Sequence, residues 1–206
     1  MRDQRTEVAD RPSGRDRRRD LVQIAYRRIA TRGFEGLRVR DVAREAGINH
    51  ATLLYYFSTK EALIQEVVGY LAQEFSINRA PGPSAAALSP LEELRREFAD
   101  ARYRVRAMPE MFVVLAELTI RSRRDPAIAR ILHALFDGWR EQLVSLLTRG
   151  VAEGAFRPDL DVEATARTIM AQLTAIGYQV LGPSGDVEVD RLVADLAAQT
   201  EHWLSG

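Results

Sequence analysis

The chain has 206 residues and a net charge of zero, and its hydrophobic fraction of 46% is sufficient for the core of one large or two small domains. It contains no cysteine, which excludes disulfide bonds, thiolate catalysis and cysteine-ligated zinc. No apolar run approaches the roughly 18 residues of a membrane-spanning helix, and the N-terminus lacks the apolar segment of a secretory signal, so we expect a soluble cytoplasmic protein without membrane contacts.

The neutral total hides an uneven distribution of charge. Residues 1–60 contain 14 arginines and lysines against 8 acidic residues, whereas residues 61–206 contain 15 against 21. A basic N-terminal third on an acidic body is typical of a chain with one polyanion-binding end. It also fits a basic face that only meets solvent, and charge alone does not separate the two interpretations.

The chain begins with a mixed-charge segment, residues 1–14, which we predict to be a flexible arm. An apolar stripe with helical spacing then predicts a first helix from Arg15 to Thr31. The arginines of this helix fall outside the stripe. We expect the run Arg15–Arg19 to be solvated or, as an alternative, to touch DNA.

The segment Val39–Ser58 predicts two short helices joined by a tight turn. Gly47 follows the first helix, where a left-handed residue is needed, and Asn49 is placed to cap the second helix. This is the pattern of a helix-turn-helix, whose second helix enters the major groove of DNA.

A fourth helix is predicted from Lys60 to about Ile77, with Ser58 or Thr59 as its cap. Three prolines in residues 79–90 then predict a loop and a domain boundary. We therefore divide the chain into an arm (1–14), a helix-turn-helix domain with its linking fourth helix (15–78), a loop (79–90) and a body (91–206).

The body is helical in pattern throughout. Five helices are predicted there, from Leu91 to before Pro109, from Glu110 to about Arg124, from Pro126 to about Glu153, from Val162 to about Leu181 and from Val187 to Leu204. No sustained alternation of period two competes with them. The predicted fold is all-α, with about nine helices.

Residues 24–63, IAYRRIATRGFEGLRVRDVAREAGINHATLLYYFSTKEAL, resemble the TetR family of bacterial transcriptional regulators. The family is built from an N-terminal three-helix bundle with a helix-turn-helix and a C-terminal helical domain that binds ligand and forms the dimer. Two departures from the family pattern stand out. Leu37-Arg38 replaces the usual Ser or Thr cap before the first motif helix, and Leu54 replaces a tyrosine that contacts phosphate.

The resemblance implies sequence-specific contacts to an operator in double-stranded DNA. Arg40, Asn49, His50 and Ala51 are predicted to read bases or reach the groove, and Thr52, Tyr55, Tyr56 and Lys60 to hold phosphates. Alternatives remain for three of them. Arg40 is also compatible with a surface arginine, His50 with a phosphate contact or simple exposure, and Tyr56 with a purely structural role.

One such unit contacts too little DNA for high specificity, so we expect a homodimer on a palindromic operator. In the family the last two helices pair with those of a second chain, which here corresponds to residues 162–204. These helices contain small residues that allow close approach: Ala164, Ala171, Ala175, Ala194, Ala197 and Ala198. We expect a charge at Leu196 to separate the subunits, although the same stripes also pack on their own body.

The body is predicted to hold an unknown small-molecule effector, apolar or aromatic, whose binding releases a repressor from its operator. The predicted lining residues are aromatic, methionine and leucine side chains: Tyr103, Met108, Met111, Phe112, Leu115, Phe136, Trp139, Met170 and Tyr178. Each of them also fits an ordinary core position. No cofactor or metal is expected.

Two other classes of function are alternatives to a DNA-binding regulator: an enzyme and a helical scaffold. An enzyme is disfavoured because the chain has three histidines and lacks the HExxH, Gly-rich phosphate-loop and GxSxG patterns. His133 and Asp137 lie one helical turn apart and are a weak metal alternative to a surface pair. A helical dimeric scaffold or adaptor without DNA binding is the second alternative, given the changes at Leu37-Arg38 and Leu54.

Overall fold

A computed structural model describes residues 14–80, 88–179, 181–182 and 188–205. The described residues form nine α-helices and one short 3-10 turn, and contain no β-strand, which confirms the all-α prediction. In chain order the helices are α1 (Gly14–Arg32), α2 (Val39–Glu45), α3 (His50–Tyr56), α4 (Lys60–Ile77), α5 (Pro90–Ala107), α6 (Glu110–Ser122), α7 (Pro126–Ala152), α8 (Val162–Gln179) and α9 (Val189–Ser205). None of them is long and apolar enough to cross a membrane.

The predicted boundaries lie within a few residues of those observed. α4 spans Lys60–Ile77 as predicted, whereas α9 begins at Val189 rather than Val187. Most of the predicted arm and the centre of the predicted loop, residues 1–13 and 81–87, lie outside the described residues. So do residues 183–187, which precede α9.

The helices are arranged in an N-terminal unit and a body that share one continuous core. α1 packs against α4 and α2 packs against α3. α1 also contacts α6 of the body, and α4 contacts both α6 and α7. In the body, α7 packs against α6 and α8, and α5 packs against α9. α4 therefore leads directly from the end of the helix-turn-helix into the middle of the body.

Gly177 on α8 lies against a side chain of α6. A Cβ atom at this position would overlap the ring of Phe112 on α6. Glycine is required here because of this contact, since a helix would otherwise favour alanine.

Two glycine-to-alanine substitutions are expected to have opposite effects on stability. Gly177→Ala forces the Phe112 ring to move and should lower the free energy of unfolding by about 1–3 kcal/mol. Gly69→Ala on α4 meets no atom within 4 Å and should raise it by about 0.5–1 kcal/mol. Urea unfolding followed by circular dichroism measures both, and equal effects would contradict the packing described.

Candidate nucleic-acid interface and internal cavity

One face of helix α3 packs against the core, and the opposite face is exposed to solvent. Leu53 on this helix and Phe57 directly after it are each 1% exposed and lie in the core. The residues that face away from the core are all exposed: His50, Ala51, Leu54 and Tyr55. Tyr55 is 86% exposed. This face has the size and position required of a helix that enters a major groove.

The turn between α2 and α3 has the geometry that the sequence predicted. Gly47 has a φ of 66°, in the left-handed region. The Asn49 side-chain oxygen accepts hydrogen bonds from the backbone N–H of Thr52 at 2.7 Å and from the Thr52 hydroxyl at 3.0 Å. At the start of α2, Arg38 occupies the cap position without a side-chain cap hydrogen bond, as expected from the missing Ser or Thr.

Two arginines of α1 bind the C-terminal ends of the two motif helices. Arg17 donates to the carbonyl oxygen of Ala46 at 3.3 Å, and Arg18 donates to that of Tyr56 at 2.7 Å. A cation is favoured at a helix C-terminus because the last carbonyls lack partners and carry partial negative charge. These two side chains are therefore more than a solvated charge run, since they link α1 to the ends of α2 and α3.

Arg28 makes a third link between α1 and the motif. Its side chain is 11% exposed and contacts Asp41 and Glu45 of α2, each at 3.1 Å. The sequence pattern placed Arg28 outside the apolar stripe, and the structure pairs it there with two carboxylates. Its partners lie 13 and 17 residues further along the chain, where helical periodicity does not reveal them.

The eight residues predicted to contact DNA fall into two groups. Five are exposed, namely Arg40, Asn49, His50, Ala51 and Tyr55, and three are half-buried, namely Thr52, Tyr56 and Lys60. Tyr56 packs partly against the core, and its ring meets that of Tyr55 edge-on, with 5.5 Å between centroids. Lys60 opens α4, whose cap is the Thr59 hydroxyl, 3.0 Å from the Ala62 nitrogen.

The side chain of Leu54, where the family has a tyrosine, is 41% exposed on the same face as Tyr55. α3 contains no acidic residue that would repel phosphate. The interface therefore combines an apolar and aromatic face with Arg40 and Lys60 nearby in the chain.

The body encloses a cavity of about 300 Å³ between α4, α5, α6, α7 and α8. Its wall is mostly apolar and includes four of the nine residues predicted to line a pocket: Phe112, Leu115, Phe136 and Trp139. The other five are not part of this wall. Met111 is fully buried in the core, and Tyr103, Met108, Met170 and Tyr178 are half-buried elsewhere.

Charged side chains that the sequence analysis did not select also border the cavity. Arg79, Glu97 and Arg104 lie on its wall, and Glu97 accepts a hydrogen bond from the Trp139 indole at 2.9 Å. Asp100, which is 0% exposed, holds the end of α4 by accepting from the Ala80 backbone N–H at 2.8 Å. Asp100 and Arg104 lie four residues apart on α5, next to its apolar stripe. This spacing is the sequence signal that could have identified them.

Contacts from α6 join the cavity to the helix-turn-helix domain. Phe112 and Leu115 face the cavity, and Glu117, less than one turn further along, accepts a hydrogen bond from the Phe34 backbone N–H at 3.2 Å. The Arg121 guanidinium lies 5.6 Å from the centre of the Phe34 ring. α6 therefore lies between the cavity and the 3-10 turn that follows α1.

The last two helices leave a face of small side chains uncovered. Ala171 and Ala175 on α8 and Ala194 and Ala198 on α9 are exposed, whereas Ala164 and Ala197 are half-buried. Leu196 is buried against its own chain. A charge at Leu196 would therefore disrupt the core of the single chain as well as a dimer.

The weak metal alternative finds no support in the geometry. His133 is exposed, and Asp137 lies 4.0 Å from the Arg140 Nε atom. Within the part of the chain that the structure describes, no three histidine or acidic side chains are grouped as metal ligands.

Comparisons with known proteins agree with this arrangement. Two family models match, "Bacterial regulatory proteins, tetR family" at residues 21–67 and "Tetracyclin repressor-like, C-terminal domain" at residues 90–196. The chain is 30% identical to the HTH-type transcriptional repressor KstR2 of Mycolicibacterium smegmatis over 184 residues, which cover 89% of this chain and 88% of that protein.

Solved structures share the fold. A TetR transcription regulator from Haloarcula marismortui matches with a TM-score of 0.80 at 21% identity, covering 92% of this chain and 98% of the other. The ketosteroid transcriptional regulator KstR2 of Mycobacterium tuberculosis matches with a TM-score of 0.64 at 24% identity, covering 97% and 99%.

Proposed function

The chain belongs to the TetR family of bacterial regulatory proteins, and from that premise we propose that it is a homodimeric repressor released from its operator by a small apolar or aromatic molecule. Members of the family are DNA-binding transcriptional regulators. The observation that carries the proposal is a capped recognition helix with an exposed face, joined through α4 and α6 to an apolar cavity. We assign no catalytic role to any residue.

The exposed face of α3 and the start of α2 are the proposed base-reading surface. His50 donates or accepts a hydrogen bond at a base edge, Ala51 packs on a thymine methyl group, and Arg40 reaches the groove. Because the Asn49 side-chain oxygen is used by the cap, only its NH₂ group is left for DNA.

One phosphate contact of the family pattern is missing, because Leu54 replaces a tyrosine and has no hydroxyl group. Tyr55 has the most exposed hydroxyl-bearing ring of α3. Lys60 lies in the first turn of α4, where the helix dipole also favours an anion. Thr52 and Tyr56 are placed at the edge of the same surface, and together these four side chains set the position of α3 on the backbone.

Release requires a ligand that favours one arrangement of α4 and α6 over another. Phe75 of α4 and Phe112 of α6 meet edge-on, with 5.9 Å between centroids, and both line the cavity. A ligand that separates these rings shifts both helices and so changes the spacing of the two recognition helices in a dimer. A 100-fold loss of operator affinity needs about 2.7 kcal/mol of differential binding.

Fluorescence anisotropy with labelled DNA from upstream of the protein's own gene tests the function. We expect tight binding at 50 mM salt that weakens by about a thousandfold or more at 200 mM, because phosphate contacts release counterions. Unlabelled DNA of unrelated sequence is the control for specificity. No binding by a folded dimer at low salt would overturn the proposal and favour the scaffold alternative.

A panel of apolar and aromatic molecules, added to the protein–DNA complex, tests release. One relative is described as a ketosteroid regulator, and the apolar wall of this cavity suits rigid rings, so a ketosteroid belongs in the panel. A compound that fills the cavity should lower the anisotropy, whereas Trp139→Arg, which blocks the cavity, should remove that response and retain DNA binding.

A further inference from the structure

Arg104 is a buried cation with incomplete hydrogen bonding. The residue is 8% exposed and lies on the wall of the cavity. Its Nε atom donates to the carbonyl oxygen of Asn78 at 3.1 Å, and its guanidinium lies 5.8 Å from the centre of the Phe75 ring. Among the described residues, neither of its two terminal nitrogens has a hydrogen-bond acceptor. An arginine has five N–H donors, so four of them are without a protein partner here.

The carboxylates nearby are engaged with other groups. Asp100 accepts from Ala80 and pairs with Arg96 at 3.1 Å and with Arg79 at 3.5 Å. Glu97 accepts from Trp139. Neither forms an ion pair with Arg104. Burial lowers the pKa of Arg104, and the negative charges of Glu97 and Asp100 act against that shift without cancelling it.

A buried charge without a partner is costly, and such a group on the wall of a cavity is a candidate for ligand binding. Around Arg104 the wall is made largely of apolar side chains, including Phe75, Phe112 and Leu115. The cavity thus has a cationic group, Arg104, on a wall that is otherwise largely apolar.

We propose that the cavity binds an apolar molecule with one carboxylate, whose two oxygens accept hydrogen bonds from the terminal nitrogens of Arg104. This deepens the proposed function, on which it rests, by naming the chemical class of the effector. The planar guanidinium matches a carboxylate in a two-bond geometry. A phosphate monoester with two negative charges suits the site less well, because Glu97 and Asp100 would repel the second charge.

A cationic ligand is less compatible with these contacts. Asp100 is fully buried behind Arg79 and Arg96, and Glu97 is held by Trp139. Glu97 keeps its negative charge, since the Trp139 indole that donates to it is neutral, but a cation near Glu97 would also be repelled by Arg104 in the same cavity.

The position of Arg104 links ligand recognition to the DNA-binding domain. Asn78, which receives the Arg104 hydrogen bond, is the residue that ends α4. A carboxylate bound to Arg104 is therefore anchored at one end of the helix whose other end follows α3. In this proposal Arg104 both binds the ligand and contacts the C-terminal end of α4.

The test compares acids with amides of the same shape on the full-length dimer by isothermal titration calorimetry. The probes are phenylacetate, 2-naphthylacetate and decanoate, each paired with its primary amide. We expect at least one acid to bind 10-fold or more tightly than its amide. If no acid binds more tightly than its amide, the proposal is overturned without the need for any variant.

The variant Arg104→Met should weaken that acid at least 30-fold and change amide affinity less than threefold. Arg102→Met on the same helix is the matched control, since Arg102 is exposed, and it should leave both affinities unchanged. Arg104→Lys keeps the charge but loses the planar two-bond geometry, so its affinity for the acid should lie between those of the wild type and Arg104→Met. If Arg104→Met does not fold, Arg104→Lys alone provides the test. An unchanged preference for the acid in either Arg104 variant would contradict the assignment.

The same acid added to the protein–DNA complex separates this inference from the proposed function. If the acid binds through Arg104 but the complex does not dissociate, the inference holds and ligand-controlled release fails. If only neutral compounds bind and release the operator, the function holds and the inference is overturned.

Discussion

Replacement of Ala198 by arginine is expected to separate the dimer and to lower operator affinity by more than 100-fold. Ala198 is exposed on α9, beside the other exposed alanines of the proposed pairing face. A long charged side chain on a surface of small residues holds two helices apart and leaves a charge buried between them. A monomer reaches one half-site only and loses the gain of about 10²–10⁴ that a linked second site contributes.

Analytical ultracentrifugation and anisotropy on the same samples measure both effects. Ala107→Arg, at an exposed alanine in the last turn of α5, introduces the same charge outside the pairing face and should leave mass and affinity unchanged. Both variants should retain the helical circular-dichroism spectrum of the wild type, which shows that each chain still folds. A dimer that persists in Ala198→Arg would place the interface elsewhere.

His50→Ala and Lys60→Ala are expected to weaken DNA binding in different ways. In a homodimer each substitution acts at both half-sites, so a contact of about 1–3 kcal/mol becomes about 2–6 kcal/mol for the whole complex. His50→Ala should reduce the discrimination between operator and mutated operator. Lys60→Ala should weaken all sequences about equally and reduce the salt slope by about one per half-site.

Binding to the operator, to single-base variants of it and to unrelated DNA at several salt concentrations distinguishes the two. Arg27→Ala, an exposed arginine of α1 whose weak partner is Glu45 at 3.8 Å, controls for loss of a positive charge alone. If His50→Ala and Lys60→Ala lose affinity in the same pattern, the division into base-reading and phosphate-holding residues is wrong.

The helix-turn-helix could be predicted from the sequence because its signals are local. The role of Gly47 depends only on its own backbone angle, and Asn49 caps α3 by accepting from Thr52, three residues further along. The apolar stripes likewise predict each helix from residues within it. The fold class follows from these short-range patterns, and so do most helix boundaries.

The links between elements could not be predicted in the same way. Arg17 and Arg18 donate to backbone carbonyls 29 and 38 residues away, and every residue type offers a carbonyl. Glu117 accepts from a backbone N–H 83 residues earlier. Such contacts depend on how helices pack, which the apolar period of a single helix does not show.

The cavity was predicted only in part for a related physical reason. Aromatic and methionine side chains fill cores and line cavities alike, so Met111 and Phe112 are equivalent in sequence although only Phe112 faces the cavity. Arg104 was passed over because a charge next to an apolar stripe usually extends into water.

DNase I footprinting on DNA upstream of the protein's own gene tests the central claim most directly. We predict protection of an inverted repeat whose half-sites lie about one helical turn, or a multiple of it, apart, at a concentration where Ala198→Arg protects nothing. Protection should disappear when a cavity-binding molecule is added. A folded wild-type dimer that leaves the whole region unprotected at low salt would contradict the account.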